Sequence, residues 1–243
     1  MTGPHRVAEI LSLTYGEHGP DSMLLARLCQ ACLVATSVSG VGVALMTADG
    51  PSGVVLAATD GRARQLEELQ FSFGEGPCVE ASDSGRPVLQ ADLAVTGPTR
   101  WPGFVAAVLD FGVRAIFALP LRVGAIRVGV LDLYRDVPGQ LEILELAEAL
   151  AFAEAATLVV LYLQDHAAQE GDQSALVEPI ERRAVVHQAT GMIAVQLGIS
   201  LAEALLRLRA RAYVSGRPVS EVAADVVSRR MRFDDGEPGG GRQ

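Results

Sequence analysis

The chain has no lysine: all 20 of its basic residues are arginine. With alanine, glycine and valine abundant, this usage points to a GC-rich bacterial genome. Cysteine is scarce as well. Three residues (Cys29, Cys32, Cys78) are too few for a disulfide framework and leave an odd thiol over, which fits a reducing compartment. Apolar runs are short: AATLVVLYL, residues 155–163, stops well below the roughly 20 residues of a bilayer span. The amino terminus has no basic-then-apolar signal segment, so the expectation is a cytoplasmic protein with no membrane contact. The four histidines (5, 18, 166, 187) lie far apart without ligand spacing. No Ser/His/Asp set, phosphate loop or metal-ligand cluster stands out. The sequence therefore offers no catalytic residue, no metal site and no cofactor.

What the chain does have is apolar content. At 49% hydrophobic over 243 residues it can build one large core or two smaller ones. The formal net charge is -9, but it is unevenly shared: residues 1–177 hold 10 arginines against 21 acids, whereas 178–233 hold 9 against 5. A basic island in an acidic chain suggests a polyanionic partner for that island, unless it is only the arginine-rich surface of solvated helices.

Periodicity divides the chain accordingly. Residues 1–19 read as a flexible N-terminus. DSMLLARLCQACLVAT places Leu25, Leu28 and Cys32 at helical spacing, with Leu24 and Cys29 beside them. VGVALMTA (41–48) and GVVLAATD (53–60) read as a hairpin, GRARQLEELQ as a short helix, and FGEGPCVEAS as a glycine-rich loop entering a helix. RPVLQADL is a short strand, with Asp92 capping a strand end or rimming a pocket. WPGFVAAVLDFG is a helix, VRAIFALPLRV and IRVGVLDLYRD are strands, and a long helix covers about 140–164. Residues 20–166 thus form an α+β unit, an antiparallel sheet with flanking helices. Residues 167–177 are a linker, 178–233 an all-α three-helix bundle and 234–243 a disordered tail. In the bundle, Val186, Ala189, Ile193 and Leu197 form one core stripe, and Leu201, Ala204, Leu205, Leu208 and Ala212 form another. The SLAE stretch at 200–203 is a capping box.

Several residues are candidates for function. Arg209 has its stem between apolar neighbours, which lowers the entropy lost on binding a phosphate or base; it equally suits a surface arginine covering the core. Arg207 and Arg211 share the other flank. Gly191 sits mid-helix at a cost of about 1 kcal/mol relative to alanine, so something must approach closely there: helix three, a second subunit or a nucleic-acid backbone. In the α+β unit, Gly74, Gly76 and Pro77 shape a turn whose helix amides either bind an anion or serve the turn alone. Cys29 and Cys32 fall on the apolar side of a helix and read as core rather than as a dithiol or zinc pair.

RRAVVHQATGMIAVQLGISLAEALLRLRARAYVSGRPVSEVAADVV resembles an ANTAR domain over essentially the module's full length. The match runs through Arg183 to Val186, Gln188-Ala189, Gly191, Gly198 to Ser200, Glu203-Ala204, Leu208-Arg209, Ala212 and Val222-Ala223. The family usually carries an acid where His187 stands and a base where Thr190 stands. GEGPCVEA, GRPVLQADL, RWPGF, GVRAIFALPLRVG and VGVLDLY resemble a GAF domain of the actinobacterial type. The resemblance implies a regulator of transcription antitermination that binds RNA hairpins in leader transcripts as a homodimer, with an unidentified small molecule as the ligand of the GAF domain. It implies RNA contacts at Arg183, His187, Gln188, Thr190, Gly191, Arg209, Arg211 and Arg217, and a ligand pocket at Cys78, Asp92, Arg100 and Trp101. A DNA-binding factor, a thiol enzyme akin to the GAF-type methionine sulfoxide reductases, and a purely dimerising protein are the alternatives. For the dimer, Leu144, Ala147, Leu150 or Ala151, Leu158 and Leu161 of the long helix offer a pairing face.

Overall fold

The structure is a computed structural model and describes residues 3–16, 19–47, 50–170 and 174–233; side chains are described except at 47, 50–53, 167–170, 174–183 and 202. The chain divides into two compact units, residues 1–179 and 180–243.

In the first unit, β1 (Gly40–Thr47), β2 (Gly50–Ala58), β3 (Val88–Gln90), β4 (Ala115–Val123) and β5 (Ile126–Arg135) form one sheet in the order β2-β1-β5-β4-β3. Every neighbouring pair is antiparallel. β5 lies at the centre and is covered on both faces, so its side chains alternate between two cores. Leu131 and Leu133 join Val41, Val43, Phe117, Leu119 and Leu121 on one face. That face is covered by α1 (Pro4–Gly16), α2 (Leu24–Thr36) and α7 (Ile143–Glu170). Val130 and Tyr134 join Ala44, Met46, Ile116 and Ala118 on the other. The second face lies under α3 (Gly61–Phe73), α4 (Pro77–Ser84), α5 (Leu93–Arg100) and α6 (Pro102–Asp110). Each large apolar side chain taken fully out of water here contributes about 1.5–3 kcal/mol.

The fold departs from the sequence reading in four places. Residues 4–16 of the expected flexible N-terminus are α1, whose Val7 and Ile10 pack into the first core and whose Arg6 binds Glu148 of α7 at 2.8 Å. Asp92 caps α5, a helix the reading lacked, by accepting from the Ala94 amide at 3.0 Å. Ile143–His166 of α7 is long and apolar enough to cross a membrane, and half of it is buried inside the fold. Isolated glutamates such as Glu148 and Glu154 interrupt that apolar run in the sequence, although apolar positions dominate the helix as a whole. Finally, α8 (Ser174–Leu197) starts inside the stretch 167–177 expected to be a linker.

The second unit packs α8, α9 (Leu201–Ser215) and α10 (Val219–Val227). Val186, Ala189, Ile193 and Leu197 are buried with Ala204, Leu208, Ala212, Val222, Ala223 and Val226. Ser200 accepts from the Glu203 amide at 3.2 Å, as the capping box requires. Leu201, assigned to the core by its spacing, is 64% exposed because it stands in the first turn, ahead of the point where α9 meets its neighbours. The tail 234–243 lies outside the described residues.

Candidate functional site

On the second face of the sheet a group of polar side chains is sealed from solvent. Asp132 of β5 stands opposite Gly42 on β1 and Ala118 on β4, so its cross-strand neighbours leave room above it. Glu67 of α3 descends into that room: a Cβ on Gly42 would stand 2.6 Å from Glu67 Oε1. Gln70, one turn on, donates to Asp132 Oδ2 at 3.2 Å and accepts from the Cys78 amide at 2.7 Å, which ties α3 to the start of α4. Gly76 precedes that start at φ 135°, a conformation other residues rarely adopt, and a Cβ there would stand 2.7 Å from Gln70 Oε1. The glycine-rich loop is therefore a structural turn whose helix N-terminus is occupied by Gln70.

Burial shapes the chemistry of these groups. Desolvation, then repulsion from Asp132, pushes Glu67 well above the usual carboxylate range. Desolvation pushes Asp132 up to about 6, although hydrogen bonds from Glu67, Cys78 and Gln70 pull the other way. The Cys78 thiol is also raised well above its ordinary value, first by desolvation and then by the Asp132 and Glu67 charges. Glu67 Oε2 and Asp132 Oδ1 are buried without a hydrogen-bond partner. A cavity of about 10 Å³, room for about one water, adjoins the group and is lined by Met46, Val54, Val55 and Phe71 besides Glu67, Gln70 and Cys78.

Of the four pocket residues expected from the sequence, Cys78 belongs to this buried group and the other three lie apart from it. Arg100 pairs with Glu80 and stacks its guanidinium 4.4 Å from the centre of the Trp101 ring, which is itself buried. Gln90 links the set: its Nε2 donates to the Asp92 carbonyl and Thr96 Oγ1, and its Oε1 accepts from Arg100 at 3.4 Å. Asp92 is spent on its cap. The sequence reading missed Glu67 and Asp132, which stand 65 positions apart in the chain. The available signal was VLDLY, where a lone acid interrupts an apolar strand too central to face water.

In the second unit, His187 and Gln188 are exposed on α8, and Gly191 lies one turn further along the same face. Among the described residues a Cβ on Gly191 would meet nothing within 4 Å, so packing against the third helix is not what the glycine serves. Thr190 is corrected: it is buried, and its hydroxyl donates to the Val186 carbonyl at 2.7 Å. Arg211 is exposed on α9, whereas Arg209 is half-buried and desolvation lowers its pKa. Arg217 is engaged within the unit, pairing with Asp225 at 2.8 Å and Glu221 at 3.3 Å. The Arg183 side chain lies outside the described residues.

Comparison with known proteins is consistent with both halves. A family model described as a GAF domain matches residues 22–160, and one described as an ANTAR domain matches residues 174–227. No curated protein matches the chain. Among solved structures, the GAF domain of an Acinetobacter phosphoenolpyruvate-protein phosphotransferase is similar at 11% identity and TM-score 0.49, covering 69% of this chain and 95% of its own. A free methionine-R-sulfoxide reductase from Neisseria meningitidis is similar at 16% identity and TM-score 0.46, covering 66% of this chain and 89% of its own.

Proposed function

Because the chain belongs to the GAF domain family and carries an ANTAR domain behind its GAF domain, we propose that it is a cytoplasmic regulator of transcription antitermination that binds hairpins of a leader transcript as a homodimer. The ANTAR domain is an RNA-binding antitermination module and the GAF domain a small-molecule-sensing one, so the architecture is that of a regulator rather than an enzyme.

The observation that carries the RNA reading is the open face of α8. Gly191 leaves open space that none of the described groups fills, with exposed His187 and Gln188 one turn before it. A gap beside exposed polar side chains suits the unstacked bases and backbone of a hairpin loop, which side chains reach more readily than the deep major groove of paired RNA. Arg211 and Arg209 supply guanidinium groups for phosphate or base contact. Ligand control by the GAF domain requires that the ligand bind the RNA-competent and RNA-incompetent states with different affinity.

The thiol-enzyme alternative is weakened by burial. Cys29, Cys32 and Cys78 are all buried, and desolvation raises each thiol, Cys32 to about 12, which suppresses the nucleophilic thiolate. Two hairpins call for two modules. The exposed Leu144, Leu150 and Leu158 of α7, with half-buried Ala147 and Leu161, offer a face for a second copy, while Ala151 is taken up by the chain's own core.

The test is titration of a labelled RNA with two tandem hairpins, at near-physiological salt, against a control with scrambled loops. Loop-dependent binding is expected; equal binding to duplex DNA would transfer the reading to a DNA-binding factor.

A further inference from the structure

We propose that Glu67, Cys78 and Asp132 form a buried site for one zinc-class divalent cation, sealed between the sheet and helices α3 and α4. One ligand atom from each residue can be chosen so that all three lie within 4.8 Å of one another. A tetrahedral zinc ion holds oxygen and sulfur ligands about 2.0–2.3 Å away, and so about 3.5 Å from one another. Small side-chain adjustments would close the present spacing to that value.

Two other roles such a position could serve do not fit the donor set. It is not an apolar packing core, because three ionisable groups are buried together there. It is not a salt bridge, because no arginine is paired with Glu67 or Asp132 among the described ion pairs, and Arg135 of β5 binds Glu145 instead. Buried polar atoms are normally paired, and an unpaired one is costly because it has given up its hydration without a replacement. Glu67, 5% exposed, and Asp132, 4% exposed, each leave one carboxylate oxygen without a partner. A cation would satisfy both oxygens and the sulfur at once.

The surroundings are built for this. Gly42 is the strand position over which Glu67 lies, and any larger residue there would displace the carboxylate. Gln70 holds Asp132 through its amide nitrogen and the Cys78 backbone through its oxygen, so it orients two of the three donors from behind, as outer-sphere partners do in metal sites. The adjoining cavity admits about one water, enough for a fourth ligand. A thiolate with two carboxylates favours zinc over magnesium or calcium, which take oxygen alone. On binding, the cation replaces the protons held by the thiol and the carboxyl pair; these pass to solvent, and no electron is transferred.

The experiment uses the full-length chain, stripped with chelator and titrated with Co²⁺ as an optical stand-in for zinc. One cobalt per chain is expected, with tetrahedral visible bands and a thiolate-to-cobalt charge-transfer band that equimolar Zn²⁺ abolishes. The band disappears in Cys78→Ser and is retained in the double variant Cys29→Ser/Cys32→Ser. Circular dichroism checks that Cys78→Ser folds. Should it not, Glu67→Gln, which keeps the thiol and the side-chain size, serves instead and is expected to weaken cobalt binding at least tenfold. Absence of the band from the unmodified chain, its persistence in folded Cys78→Ser, or unchanged affinity in Glu67→Gln overturns the site.

Discussion

Arginines that look alike in the sequence have different work in the fold. Arg217 is held by Asp225 and Glu221, and Arg209 lies half in the packing of α9, whereas Arg211 is exposed with no ion pair among those described. Arg211→Ala is therefore the cleaner probe of RNA contact. It is expected to weaken hairpin binding, to lower the slope of log affinity against log salt by about one, and to leave the melting temperature unchanged. Arg209→Ala should lower both affinity and melting temperature, since its stem is part of the packing. Filter binding across a salt series, with thermal melts of the same samples, separates the two. The sequence alone could place both arginines on the correct flanks of α9, because a helix of known period fixes direction. It could not tell Thr190 from its exposed neighbours His187 and Gln188, since a threonine that bonds its own helix four residues back is legible only from coordinates.

Elements were legible where their start and stop signals are local. The Ser200 cap, the apolar run of β4 and the core stripe of α8 follow from spacing, and they are where the reading placed them. α5 was hidden because Gly97 and Pro98 stand inside it, a pair that reads as a turn; the Asp92 cap and packing of Leu93 into the second core hold the helix against that preference. Asp92→Ala is accordingly expected to cost about 1 kcal/mol of stability, measured by urea denaturation, through loss of the cap. α7 is anchored at its start by Glu145, which binds Arg135 of β5 at 2.7 Å. Burial alone would raise the Glu145 pKa, but the Glu142 amide and the Arg135 guanidinium outweigh it and hold it below the ordinary value. A carboxylate whose folded pKa is depressed adds stability above its unfolded pKa and loses it as pH falls through the folded one. Melting temperature should therefore drop on acidification below about pH 4.5, and Arg135→Gln should flatten that limb by removing the difference between states. An unaltered acid limb in the variant would assign the loss to other carboxylates.

At the scale of the molecule, the α+β and all-α classes were legible from charge and period. The buried acid pair was not, because antiparallel pairing and a helix laid across it join residues that no spacing rule relates. The dimer makes its own prediction. Replacing Leu150 and Leu158 of α7 together with arginine should leave the fold intact, as both are more than two-fifths exposed, and convert the mass in multi-angle light scattering from dimer to monomer. A monomer mass for the unmodified chain at micromolar concentration would rule the dimer out.

The alternation along β5 constrains how this chain can change over evolutionary time. Leu131 and Leu133 face one core, while Asp132 and Tyr134 face the other. Losing one residue from the middle of this strand would exchange the two sets, thrusting a carboxylate against α7 and two leucines against Glu67. Length changes inside β5 are thus tolerable only two residues at a time, which preserves parity. The Gly124 turn between β4 and β5, at φ 60°, carries no such condition. Insertions and deletions among descendants of this chain should gather at that turn and spare the strand.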